Sequence, residues 1–240
     1  APPGREPATR RQVVQFLLGV ATLWVAADWP LDDLSENVLL SAHMVQFLLL
    51  AMVAPGLLLL GLPAWLLRWL LEPRPLRRLA RFLRRPGAAW LVVSVILVAS
   101  HWPPVVSAYL ASDRVHLLMH VAWVTSGLVL WWPVLSPLPE APRLEPPARI
   151  GYLFLQLLLP TLPASFLTFG STPLYAEYAA MPRLWGLTAI GDQQLAGLLM
   201  KLVGSGIIIG VMAVTFFRWV AREEAADRRR RRGDRPTAPT

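Results

Sequence analysis

Residues 37–71 read NVLLSAHMVQFLLLAMVAPGLLLLGLPAWLLRWLL, 35 positions with a single formal charge, Arg68. As one helix this stretch would be roughly 52 Å long at 1.5 Å per residue. A bilayer core is about 30 Å thick, so the stretch exceeds one crossing. Pro55-Gly56 and Gly61-Leu62-Pro63 divide it, because proline removes a backbone donor and clashes with the preceding turn. A membrane helix therefore runs from about Asn37 past Pro55, and the remainder either crosses back or lies on the surface. Charge favours the surface. Residues 65–85 mix Leu, Trp and Phe with Arg68, Arg74, Arg77, Arg78, Arg81, Arg84 and Arg85. That mixture suits a basic interfacial helix whose arginines meet anionic headgroups.

Working outward from this stretch, apolar runs of spanning length recur at 12–27, 88–110, 115–135, 150–169 and 195–220. The expected fold is all-α: a polytopic transmembrane helix bundle of about six spans, with a basic interfacial helix after span two. A tail at 1–11, a helical domain at 12–220 and a disordered basic tail at 221–240 complete the division. No run resembles a cleaved signal peptide; the first exits through Asp28-Trp29-Pro30 without a small-x-small site. Composition agrees, since 55% hydrophobic and 16% charged residues are both displaced towards a membrane protein. With no cysteine, a disulfide framework, a thiolate zinc site and an iron–sulfur cluster are excluded.

The net charge of +8 reports orientation. With six crossings, 20 of the 22 arginines fall on the side of the termini, and only Arg114 and Arg183 fall opposite. By the positive-inside rule both termini face the cytoplasm of a bacterial plasma membrane. The loop 28–36 carries four acids and no base, as an outer loop should. The run Arg228–Arg232 is then a topology anchor and lipid contact, and no nucleic-acid partner is expected.

The four histidines, His43, His101, His116 and His120, all fall in the outer halves of the spans. His116 and His120, at i and i+4, share a helix face. Met44 adjoins His43, Met119 lies between the paired histidines, and Met200 lies in the last span. Imidazole and thioether together suit copper, Cu(I) in particular. Each residue alone has a plainer use, the histidines tying helices together and the methionines filling gaps. A b-type haem held by axial histidines is a further alternative.

Other features point to architecture. Pro103-Pro104 interrupts span three beside His101, and Pro160 and Pro163 kink span five. Gly206 and Gly210 form a small-xxx-small seam for helix approach or a homo-oligomer. Trp131, Trp132 and Trp185 are expected in interfacial belts. Lys201 needs a partner near the midplane, and Asp192, nine residues before it, is poorly placed to serve. No nucleophile–base pair, phosphate-binding loop or internal repeat stands out, so no catalytic residue is expected.

His43-Met44-Val45-Gln46 with the run to Pro63, His101-Trp102-Pro103-Pro104, His116-x-x-x-His120 with Trp131-Trp132-Pro133, and Asp192-Gln193-Gln194 to Met200 together resemble the CtaG-type cytochrome c oxidase assembly proteins. The likeness spans residues 11–220. It implies a non-enzymic membrane factor that assembles haem–copper oxidase, handling copper at the extracytoplasmic face and docking oxidase subunits. His43, His101, His116 and His120 would be ligands, with Met44 and Met200 as softer ones. Two positions depart from the family pattern: Phe47 stands where it usually has histidine, and Lys201 where it usually has an aromatic residue. The usual family chain also has a further span upstream. A metal-free structural partner or accessory oxidase subunit is the alternative that these departures favour.

Overall fold

Thr9 starts the first helix with a capping box, its hydroxyl accepting from the Gln12 amide while the Gln12 side chain accepts from Thr9 N–H. From there the computed structural model describes residues 7–138 and 140–233. Helix α1 (Arg10–Ala26) leads into a short α2 (Leu31–Asn37). Helices α3 (Leu40–Leu48) and α4 (Ala54–Gly61) form one central rod. Next come α5 (Ala64–Leu70), α6 (Arg74–Leu83), α7 (Pro86–Ser100), α8 (Pro103–Leu110) and α9 (Asp113–Leu135). The chain ends in α10 (Pro146–Leu158), α11 (Thr161–Phe169), α12 (Ala176–Ala180) and α13 (Ala189–Gly233). The architecture is an all-α polytopic bundle. Among the described residues five helical stretches are long and apolar enough to cross a membrane, or up to six if the bent pair α6–α7 is counted as one span.

Pro55 explains the middle of the central rod. Lacking an N–H, it cannot serve the Ala51 carbonyl, and the rod passes through a π turn, Leu49–Val53, between α3 and α4. The carbonyl of Met52 accepts the Trp131 indole N–H at 2.7 Å. Gly127 of α9 backs onto Ala51 so closely that a Cβ there would lie 2.2 Å from its carbonyl oxygen. Only glycine permits that approach. Trp131 and Trp132 are therefore buried inside the bundle, correcting the expectation of an interfacial belt, whereas Trp185 is exposed. Their place near a span end suggested the interface, but the Met52 carbonyl, at the π turn, provides the indole of Trp131 with a partner in the interior.

The rod is flanked by α1, α9 and α13. Helix α1 runs antiparallel to α4, with Gly19 against Leu58 and Gly61 against the Phe16 backbone. Helix α13 runs parallel to the rod: Asp192 meets the start of α3, and Gly204 meets Leu48 and Met52. The Asp192 carboxylate is the N-terminal cap of α3, accepting from Leu40 N–H at 2.8 Å, Ser41 N–H at 3.0 Å and the Ser41 hydroxyl at 2.5 Å. Lys201 finds its partners at the break between α10 and α11, donating to Thr161 Oγ1 at 2.5 Å and Leu157 O at 3.5 Å. Cβ atoms on Gly206 and Gly210 would meet nothing within 4 Å, so that face stands open.

The basic segment behaves as its charge pattern predicts. Helix α6 buries no residue, leaves Leu76, Leu79 and Phe82 exposed, and is bent 96° from α7. At the other end, α13 continues through Arg228 to Gly233. Residues 1–6 and 234–240 of the two expected tails lie outside the described residues.

Candidate metal centre

Two short-range spacings build the site. Asp32 and Glu36 lie at i and i+4 on α2, so their carboxylates leave one face of that helix. His116 and His120 lie at i and i+4 on α9, just after its start, and their ring centroids are 4.2 Å apart. The two faces oppose each other. Asp32 Oδ1 lies 3.4 Å from His116 Nε2 and 3.9 Å from His120 Nε2. Glu36 Oε1 lies 2.6 Å from His116 Nδ1. That last contact is short but off-axis: among the described residues neither His116 nitrogen, nor Nε2 of His120, has a hydrogen-bond partner. Both imidazoles are buried.

Asp32 is held from behind. Gln46 of α3 donates from Nε2 to Asp32 Oδ1 at 2.5 Å and to the Ala26 carbonyl at 2.8 Å. Its own carbonyl oxygen accepts the Ser35 hydroxyl at 2.9 Å. Fully buried, Gln46 thus ties the end of α1 and, through Asp32 and Ser35, helix α2 to the central rod.

Among the described residues, Asp32, His116 and His120 offer ligand atoms that all lie within 4.8 Å of one another. Two ligands each about 2.0–2.1 Å from a tetrahedral metal stand roughly 3.4 Å apart, so the triplet is near coordination size and slightly wide. Buried ring nitrogens without partners are what a metal or proton would satisfy. The donor set is two nitrogens and one oxygen, a set that accommodates Cu(II) and Zn(II), rather than the soft imidazole–thioether set suggested by composition.

The other expected ligands sit beside this triplet, in an aromatic layer. His43 stacks on Tyr109 with centroids 5.3 Å apart and meets the edge of Trp123 at 5.2 Å. The Tyr109 hydroxyl is nearly equidistant from both His43 nitrogens, at 3.3 and 3.2 Å, and contacts Tyr178 Oη at 3.2 Å. Tyr109 also meets His116 at 5.7 Å, and Trp123 meets His120 at 5.6 Å. His101 occupies the break that Pro103 imposes between α7 and α8. Its Nδ1 is 2.8 Å from the Leu97 carbonyl, which only accepts, so Nδ1 carries the proton and Nε2 presents a lone pair. That Nε2 is buried without a hydrogen-bond partner among the described residues, facing a layer in which Phe47 stands edge-on at 5.3 Å. The structure thus gathers all four histidines around Phe47, Tyr109 and Trp123, but only His116 and His120 within the ligand triplet. Met44 is packed in the core. Met200 lines an apolar cavity of about 60 Å³ with Phe47 and Met52.

One known family covers nearly the whole of this arrangement: the cytochrome c oxidase caa3 assembly factor (Caa3_CtaG) family matches residues 3–222. The chain belongs to that family. Among curated relatives, uncharacterized proteins of Mycobacterium bovis and Mycobacterium tuberculosis are each 24% identical over 219 residues, covering 82% of this chain and 32% of theirs. The chain therefore spans about a third of the length of these relatives. No solved structure matches it. Within this fold the residues of the resemblance motifs have separate roles. Gln46 and Asp192 position helices, His116 and His120 face the carboxylates, and Phe47 fills the space beside His101. Sequence reasoning overlooked Asp32, Glu36 and Gln46. The signal for Asp32 and Glu36 was their i, i+4 spacing, matching that of the histidine pair; Gln46 carried no such signal.

Proposed function

We propose that this caa3 assembly factor binds copper at the end of the bundle that carries α2, and passes it to a docked subunit of cytochrome c oxidase. The orientation is the one that the arginine distribution favours, with termini cytoplasmic and the histidines near the extracytoplasmic face of a bacterial plasma membrane. One observation carries the reading: two buried, unpartnered imidazole nitrogens converge with Asp32 Oδ1 within 4.8 Å. His116, His120 and Asp32 hold the ion, and His43 and His101 stand nearby as exchange ligands. Gln46 aims Asp32, while the Glu36 carboxylate, 2.6 Å from His116 Nδ1, favours the proton on that nitrogen and leaves Nε2 free for the ion. Copper is cargo in this reading, so a site built for loading and release suits a loosely spaced triplet. Neutral imidazole is the binding form, so affinity falls as pH drops through the histidine range.

The test is copper content of purified protein, by elemental analysis, before and after His116→Ala with His120→Ala. Loss of bound copper in a folded double variant supports the site. Undiminished copper would overturn it, and a Soret band in the purified protein would select a b-type haem protein instead.

A further inference from the structure

At the opposite end of α9 lies a second cavity, unrelated to the histidines. Trp132, on its wall, is sixteen residues beyond His116, about 24 Å along the helix. The cavity measures about 650 Å³ and lies where α5, α6 and the segment after α9 meet. Arg68 closes one side through a bidentate pair with Glu140, at 2.7 and 3.0 Å. Arg77 fixes the α5–α6 corner by donating to the carbonyls of Leu71 and Glu72, at 3.5 and 3.1 Å. Arg77, Arg81 and Arg84 lie at i, i+4 and i+7, so one face of α6 lines the cavity. Arg81 and Arg84 make no ion pair among the described residues. Nearby, the Trp132 indole N–H is buried and donates to no group among the described residues. Four guanidiniums against the carboxylates of Glu72 and Glu140 leave the lining two charges positive.

We infer that this cavity is a binding site for a phosphate group, held by Arg81 and Arg84 with the Trp132 indole as a neutral donor. Guanidinium forks match phosphate oxygens, and a basic pocket between helices at a membrane face is suited to an anionic lipid headgroup. Apolar walls at Leu71, Ala80, Leu138 and Ala141 fit the glycerol and first methylenes of a phospholipid. Free inorganic phosphate shares the recognition chemistry without using those walls. The site is distinct from general attraction of a basic helix to a charged surface, because Arg74, Arg78 and Arg85 of the same segment do not line it.

That distinction supplies the test. Native mass spectrometry of the full chain in detergent would compare retention of phosphatidylglycerol and phosphatidylcholine, with a parallel titration of inorganic phosphate. Two charge-matched variants are compared with the natural protein, Arg81→Gln with Arg84→Gln and Arg74→Gln with Arg78→Gln. The expected result is preferential retention of phosphatidylglycerol, reduced about tenfold in the first pair and less than twofold in the second. If millimolar phosphate binds with the same dependence on Arg81 and Arg84 and displaces the lipid, the occupant is free phosphate; if it does not, the occupant is the lipid. Equal losses in both pairs, or equal retention of both lipids, would overturn the site. Should the first pair fail to elute as a folded species, the single changes Arg84→Gln and Arg78→Gln make the same comparison.

Discussion

Gln46 donates to Asp32 Oδ1 at 2.5 Å, the same oxygen that lies 3.4 Å from His116 Nε2. A buried amide on the central rod therefore sets the position of the one carboxylate in the ligand triplet. Deleting the amide leaves the Asp32 carboxylate and the Ala26 carbonyl each short of a donor, while the Ser35 hydroxyl keeps the Asp32 backbone carbonyl as acceptor at 2.8 Å. Each such orphaned group costs about 1–3 kcal/mol. Gln46→Ala should lower stability, and it should also weaken copper binding, by about 10–100-fold, as is usual when the group orienting a ligand is lost. Copper titration monitored alongside thermal unfolding checks both. Lower stability with unchanged copper affinity would reduce Gln46 to a structural tie.

The crossing helices were legible because apolar runs of spanning length admit few alternatives. The placement of all four histidines at one end was legible because helix rise converts position into depth. Asp32 and Glu36 were not. In sequence they are two of four acids in a short outer segment, where they report topology, and only the folding of α2 against α9 turns their spacing into a ligand face. Trp131 was misread for a related reason: its partner is a carbonyl at the π turn beside Pro55, and a proline announces a break without revealing what will occupy it.

Asp192 provides a contrast with Gln46, since it lies in a family-like motif yet touches no histidine ring. Its carboxylate caps α3 through three hydrogen bonds, to Leu40 and Ser41. Asp192→Ala should cost about 2–3 kcal/mol, a lost cap plus buried donors left unpaired. Ser41→Ala, which removes only one of the three bonds, should cost about 1 kcal/mol. Denaturant unfolding in micelles measures both. Copper stoichiometry of the folded fraction should be unchanged in each.

The Arg68–Glu140 pair predicts an acid-side effect at the far end of the molecule. The hydrogen bond from Arg68 holds the Glu140 carboxyl down at about 2, against an ordinary 4.5. A depressed carboxylate contributes stability that is complete above the unfolded value and is lost as pH falls from 4.5 towards 2. The side chains are 50% and 53% exposed, so solvent screening keeps the contribution small. Glu140→Gln should shift the melting temperature by no more than about 2 °C at pH 7 and by nothing measurable at pH 2. A melting series across that range, compared with the natural protein, checks the sign.

Phe47 is the residue whose replacement would reveal most about the aromatic layer. It lies one turn from His43 on α3, and its ring centroid is 5.3 Å from that of His101. The His101 proton is committed to the Leu97 carbonyl, so its Nε2 lone pair is available yet buried without a partner. Phe47→His brings a second imidazole to that lone pair. The exchange should lower stability of the metal-free protein by about 1–3 kcal/mol, the cost of a buried polar ring not fully paired. It should raise copper affinity at least tenfold, or add a second ion per chain. His101→Ala should abolish that gain, since the new imidazole would lose the ring it shares the ion with. A gain that survives His101→Ala would show that residue 47 acts on the His116–His120 pair and not through His101.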